Sequence, residues 1–188
     1  QPKKEEPAQT TTTKTATSSA NTTTTKETPK DGTGDWKTFT SSKWGFSVKY
    51  PKEWTVAKET DTGASISNQE ELTGGLLVEV FINDEFNSST YNKVKTYKVG
   101  EATKVDANIQ GTNLKDTYTR LDDTKIDGYE AVRYKLEPGF GDADNPKTCN
   151  SIINKSGKYF LVRNKMYDQS FEDGIKLLDQ ILSTFKFL

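Results

Sequence analysis

The 188-residue sequence contains no histidine, one cysteine, Cys149, and one methionine. Without histidine there is no Ser-His-Asp or Cys-His arrangement, no histidine-ligated zinc or iron, and no ordinary near-neutral general base. A single thiol excludes an intrachain disulfide, a thiolate zinc cluster and a two-cysteine redox motif. No window of 18 apolar residues is present, so no transmembrane helix is expected. No glycine-rich phosphate loop is present either, since Gly74-Gly75 precedes a strand-like run rather than a helix.

A further absence is local. Residues 1–34 lack Val, Ile, Leu, Met, Phe, Tyr and Trp; their apolar side chains are Ala8, Ala16 and Ala20, and twelve of the 34 are Thr. With so little to bury, this segment cannot offset an ordering cost of roughly 1–2 kcal/mol per backbone residue. It is expected to be a disordered tether. As a flexible coil, 34 residues have a root-mean-square span on the order of 30–35 Å.

Every aromatic residue lies from Trp36 onward. Residues 35–188 are therefore expected to form one α/β-type domain, α+β in class, around a single core. The net charge is −1, with 26 basic and 27 acidic residues. No single-sign field steers nucleic acid, so no nucleic-acid partner is expected. Lys93, Lys95, Lys98 and Lys104, with Tyr91 and Tyr97 among them, make a local basic stretch, taken as a solvated lysine face.

Alternation at Phe46, Val48 and Tyr50 predicts a strand ended by Pro51, after a first strand at Trp36–Thr40. Ala64–Ser67 predicts another, and Leu76–Ile82 a strand covered on both faces. Ser89-Thr90 is a candidate cap for a helix carrying Tyr91, Val94 and Lys98. Asp127-Gly128 joins Thr117–Ile126 to Tyr129–Glu137 as a two-residue hairpin. Cys149–Asn154 and Lys158–Asn164 form a second hairpin. Ser170 caps a helix with Phe171, Ile175, Leu178 and Leu182 on one face, followed by a short strand at Thr184–Phe187.

Acidic residues were the remaining source of chemistry. Asp123 and Asp127-Gly128 look like half of an EF-hand loop, but Lys125 and Tyr134 occupy ligand positions. Asp142 and Asp144-Asn145 begin like a calcium loop that Pro146 interrupts. The adjacent pairs Asp122-Asp123, Glu70-Glu71 and Asp84-Glu85, if in strands, point to opposite faces and are poorly placed for paired acid–base work. No catalytic, cofactor-binding or metal-binding residue is assigned, and no cofactor is expected.

The segment Trp44-Gly-Phe-Ser-Val-Lys-Tyr-Pro-Lys-Glu-Trp54 and the ending Ile181-Leu-Ser-Thr-Phe-Lys-Phe187, with a weaker match at Ile126–Val132, resemble the bacterial PsbP-like proteins. These are relatives of the extrinsic oxygen-evolving-complex subunit of photosystem II. The resemblance implies a PsbP-like α/β/α sandwich with a mainly antiparallel central sheet and a C-terminal helix. It carries no metal site, because the family's histidines have no counterpart here. The polar tether also resembles that of a mature bacterial lipoprotein, with Gln1 following an acylated cysteine. An O-glycosylated stalk, to which the sequons at Asn21, Asn87 and Asn154 belong, and an engineered linker are the competing readings.

The function expected is a non-catalytic, surface-tethered extracytoplasmic binding or accessory module of the bacterial envelope. Its partner would be an envelope protein or cell-surface component, with membrane attachment through a lipid preceding Gln1. The alternatives are a structural surface-layer or adhesion component, and a carboxylate-dependent hydrolase.

Overall fold

A computed structural model describes residues 32–68, 77–107, 111–140, 146–166 and 170–188. The structure described begins just inside the expected tether. Thr33 is 1% exposed, and its carbonyl accepts from the Trp36 N–H at 3.2 Å.

Twelve strands and two helices follow: β1 (Lys37–Ser41), β2 (Phe46–Tyr50), β3 (Val56–Thr60), β4 (Gly63–Ser67), β5 (Leu77–Ile82), α1 (Asp84–Lys95), β6 (Ala102–Asp106), β7 (Lys115–Arg120), β8 (Thr124–Ile126), β9 (Tyr129–Glu137), β10 (Lys147–Lys155), β11 (Lys158–Met166), α2 (Phe171–Ser183) and β12 (Lys186–Phe187). All described strand pairs are antiparallel. The large sheet runs β3-β4-β5-β11-β10-β9-β7-β6, with β8 also on β9, and a separate small sheet runs β1-β2-β12.

Successive residues in a strand face opposite ways, and here both faces are apolar in the middle of the sheet. Val132, Ile152 and Leu161 pack with Tyr91 and Val94 of α1. Their neighbours Ala131, Ile153 and Phe160 pack with Leu178, Ile181 and Leu182 of α2, with Phe46 of the small sheet and with Phe185 just before β12. The expected single core is thus two clusters, one on each face. A strand buried on both faces reads as a continuous apolar run, which explains Ser151-Ile152-Ile153 and Phe160-Leu161-Val162, all 3% exposed or less.

Two helix ends show how local chemistry sets the elements. Ser170 caps α2 as expected, its hydroxyl accepting from the Asp173 N–H. By contrast, α1 begins well before Ser89-Thr90. Asn83 is its cap, with extended backbone and a side-chain oxygen accepting from the Phe86 N–H at 2.9 Å. The helix ends at Lys95, so Lys98 lies beyond it. The expected arm Thr117–Ile126 is two strands, β7 and β8.

Candidate functional site

The break between β7 and β8 makes the site. Arg120 opposes Tyr134 and Thr124 opposes Ala131, so Leu121, Asp122 and Asp123 face only Val132 and Arg133. That extra residue is a bulge, which bends the strand. Beyond it, Asp127 (φ 49°) and Gly128 (φ 87°) form the tight turn back into β9. The short β8 stands between two grooves that share Thr124 and Lys125.

The groove on the α1 side has a volume of about 560 Å³ and is lined by Tyr91, Lys95, Asp123, Glu130 and Val132, within the size range of ligand clefts. Lys95 Nζ lies 3.7 Å from Glu130 Oε2 and 5.4 Å from the centre of the Tyr91 ring. Tyr91, and then Glu130, hold the Lys95 ammonium above the ordinary lysine range. Arg120 fixes the far wall. Its Nη1 donates to the carbonyls of Lys95 (2.7 Å) and Tyr97 (3.0 Å) at the end of α1, and its Nη2 sits 2.6 Å from Asp123 Oδ2. Lys125 makes no ion pair among the described residues. The Tyr97 hydroxyl is buried without a partner among the described residues, and burial raises its pKa.

The groove on the α2 side holds about 290 Å³ between Thr124–Ile126, Arg133, Asp179, Leu182 and Ser183. Arg133 Nη2 bonds Asp179 Oδ1, while its Nε is buried without a partner among the described residues. Burial raises the Asp179 pKa and outweighs the opposing pull of Arg133.

Acid–base chemistry is poorly served by the walls of the α1-side groove. Asp123 and Glu130 share one groove, yet their side chains are 42% and 69% exposed and each is paired to a cation. A carboxylate kept protonated for catalysis needs an apolar, desolvated setting.

Other singled-out residues have structural roles. Asp127 Oδ1 accepts from Lys186 Nζ and Oδ2 from the Phe187 N–H, both at 2.9 Å, so this carboxylate clamps β12. Asp84 and Glu85 lie in the first turn of α1, not in a strand, and Asp84 accepts from the Tyr159 N–H. Lys98 bonds Glu101. Asn87, one of the three sequons, is fully buried, with Nδ2 donating to the Phe81 (3.0 Å) and Tyr159 (3.3 Å) carbonyls, so it cannot accept a glycan in this fold. Asn154 accepts from the Gly157 N–H. Cys149 is buried, and desolvation pushes its thiol up to about 12. Asn21, Glu70, Glu71, Asp142, Asp144 and Asn145 lie outside the described residues. Sequence reasoning flagged Tyr91 and Lys95 but not Glu130 or Arg120, whose proximity depends on the β7–β8 bulge.

No protein-family model matches the chain, and no curated protein matches it. Among solved structures, the chain is similar in fold to cyanobacterial PsbP (CyanoP) from Synechocystis sp. PCC 6803. That solution structure is 15% identical, with 81% of this chain and 92% of that chain covered and a TM-score of 0.47. A crystal structure from Bacteroides thetaiotaomicron is 12% identical over 81% of this chain, with a TM-score of 0.40. This chain spans about half of that one, 48%. Both likenesses concern the arrangement of strands and helices, not what is bound.

Proposed function

We propose that the chain is a non-catalytic binding or accessory module, presented outside the cytoplasm at a bacterial envelope surface by its Thr-rich N-terminal segment. The observation that carries this reading is the split in composition at residue 34. A stretch with only three apolar side chains, all Ala, precedes a domain that has its own double core. Within that domain, the carboxylates of the α1-side groove, Asp123 and Glu130, are exposed and ion-paired, a setting suited to recognition rather than proton transfer. The resemblance of both ends of the domain to PsbP-like proteins points the same way. In this reading the helices on opposite faces of the sheet are the outer layers of an α/β/α sandwich.

The mechanism is recruitment. A tether whose coil span is on the order of 30 Å raises the effective concentration of the domain near its surface, so a weak partner contact suffices. Cell fractionation tests the reading: the full-length protein is expected in the envelope fraction and released by detergent, and recovery in the cytosol would contradict it.

A further inference from the structure

The α1 side of the large sheet carries a second polar arrangement, outside both grooves. Helix α1 is fastened near Tyr159, whose N–H donates to Asp84 and whose carbonyl accepts from Asn87. Arg163 and Lys165 point to the same face further along β11, roughly 13 and 20 Å beyond Tyr159 at about 3.3 Å per residue. There the register sets Glu79 and Asn150 on either side of Arg163, and Thr148 beside Lys165. Inward positions of a sheet are ordinarily apolar, yet Asn150 is 1% and Thr148 4% exposed.

The charges in this cluster do not cancel. Glu79 Oε2 accepts from Arg163 Nε at 2.9 Å and also from Nη2, while Lys165 Nζ lies 3.4 Å from Oε1. The Arg163, Glu79 and Lys165 side chains are 32%, 23% and 19% exposed. Two cations therefore share one carboxylate in a partly desolvated place, which leaves one positive charge over. Donors are also left over. Arg163 Nη1 has no partner among the described residues, and Lys165 has more donors than its single contact uses. The Thr148 Oγ1 accepts from Asn150 Nδ2 at 2.7 Å, which frees its own hydroxyl hydrogen to donate.

We infer that Arg163 and Lys165, floored by Thr148 and Asn150, form a recognition site for an oxyanion, either a carboxylate or a phosphate group. Planar bidentate donors on arginine and a mobile ammonium on lysine match that chemistry. The site stands apart from the tethering proposal and does not depend on it. A cross-strand ladder that only braces the sheet would have its charges matched and no use for an added anion.

The full chain is titrated by NMR at constant ionic strength with inorganic phosphate and, separately, with a tetraglutamate peptide. The expected result is a saturable shift at Arg163, Lys165 and Thr148 that K165Q weakens by roughly tenfold. K104Q, on β6, is expected to leave it unchanged. E79Q, which removes the internal carboxylate, is expected to tighten phosphate binding. A response to phosphate alone assigns a small oxyanion, whereas a response to the peptide assigns acidic side chains of a protein partner. No saturable shift with either probe, or equal affinity in wild type and K165Q, overturns the inference. Should K165Q fold poorly, E79Q decides, and unchanged or weaker binding there overturns it.

Discussion

Gly63 shows how much can rest on one missing side chain. It opens β4 with φ +152°, and a Cβ built there would lie 1.7 Å from the Val80 carbonyl oxygen of β5. That neighbour is backbone and cannot swing aside. Gly63→Ala is therefore expected to cost at least about 2 kcal/mol in chemical denaturation; a loss under about 0.5 kcal/mol would contradict the β4–β5 register. The strand itself was legible at Ala64–Ser67. The close approach was not, because it needs a strand 14 or more residues later in the chain.

Asp127 gives a pH-dependent case. Its carboxylate pKa is lowered, first by the Phe187 N–H and then by Lys186. A depressed folded-state pKa adds stability that is present above the unfolded carboxylate value and is lost as pH falls through the folded one. Wild type is thus expected to lose more stability than Asp127→Asn between about pH 4 and pH 2, followed by thermal melts. Equal losses would remove the clamp on β12 from the account. The hairpin at Asp127-Gly128 was plain from sequence, whereas the clamp joins residues 59 and 60 positions apart and left no local trace.

At the scale of elements, legibility followed the strength of the local signal. The spacing of Leu178 and Leu182, with Ser170 ahead of them, fixed α2. Helix α1 was placed too late because Ser89-Thr90 resembles a start, whereas the preceding Ser88 already lies inside the helix, its Oγ donating back to the Glu85 carbonyl. The true cap, Asn83, directly follows the strand expected at Leu76–Ile82 and was given no role. Asn83→Ala is expected to cost about 1 kcal/mol, with a small loss of helical circular dichroism; an unchanged midpoint would show that tertiary packing alone starts the helix. The β7–β8 bulge was hidden because both halves alternate as one strand would. The grooves depend on that bulge, so their location was not legible even though Tyr91 and Lys95 were noticed. Arg163 and Lys165 alternate with buried residues on β11 and look like an ordinary solvent face until Glu79 is set beside them.

For the whole molecule, the division at residue 34 governs the expectations. Removing residues 1–31 is expected to leave the melting temperature within about 1 °C of the full chain, under the roughly 2–4 °C that a 1 kcal/mol change produces in a domain of this size. Scanning calorimetry of both forms measures it, and a larger fall would show that the segment packs on the domain. The domain's fold class was legible in the alternating strands and the capped C-terminal helix. The two-sheet layout was not, because β12 reaches β2 from the far end of the chain.

The central claim, a folded module held outside the cytoplasm by residues 1–34, is tested most directly by adding a broad-specificity protease to intact source cells and identifying released fragments by mass spectrometry. The account predicts cuts within residues 1–31 and release of an intact fragment beginning near Gly32 and ending at Leu188, from cells that remain unlysed. Protection of the whole chain until the cells are broken open would contradict it.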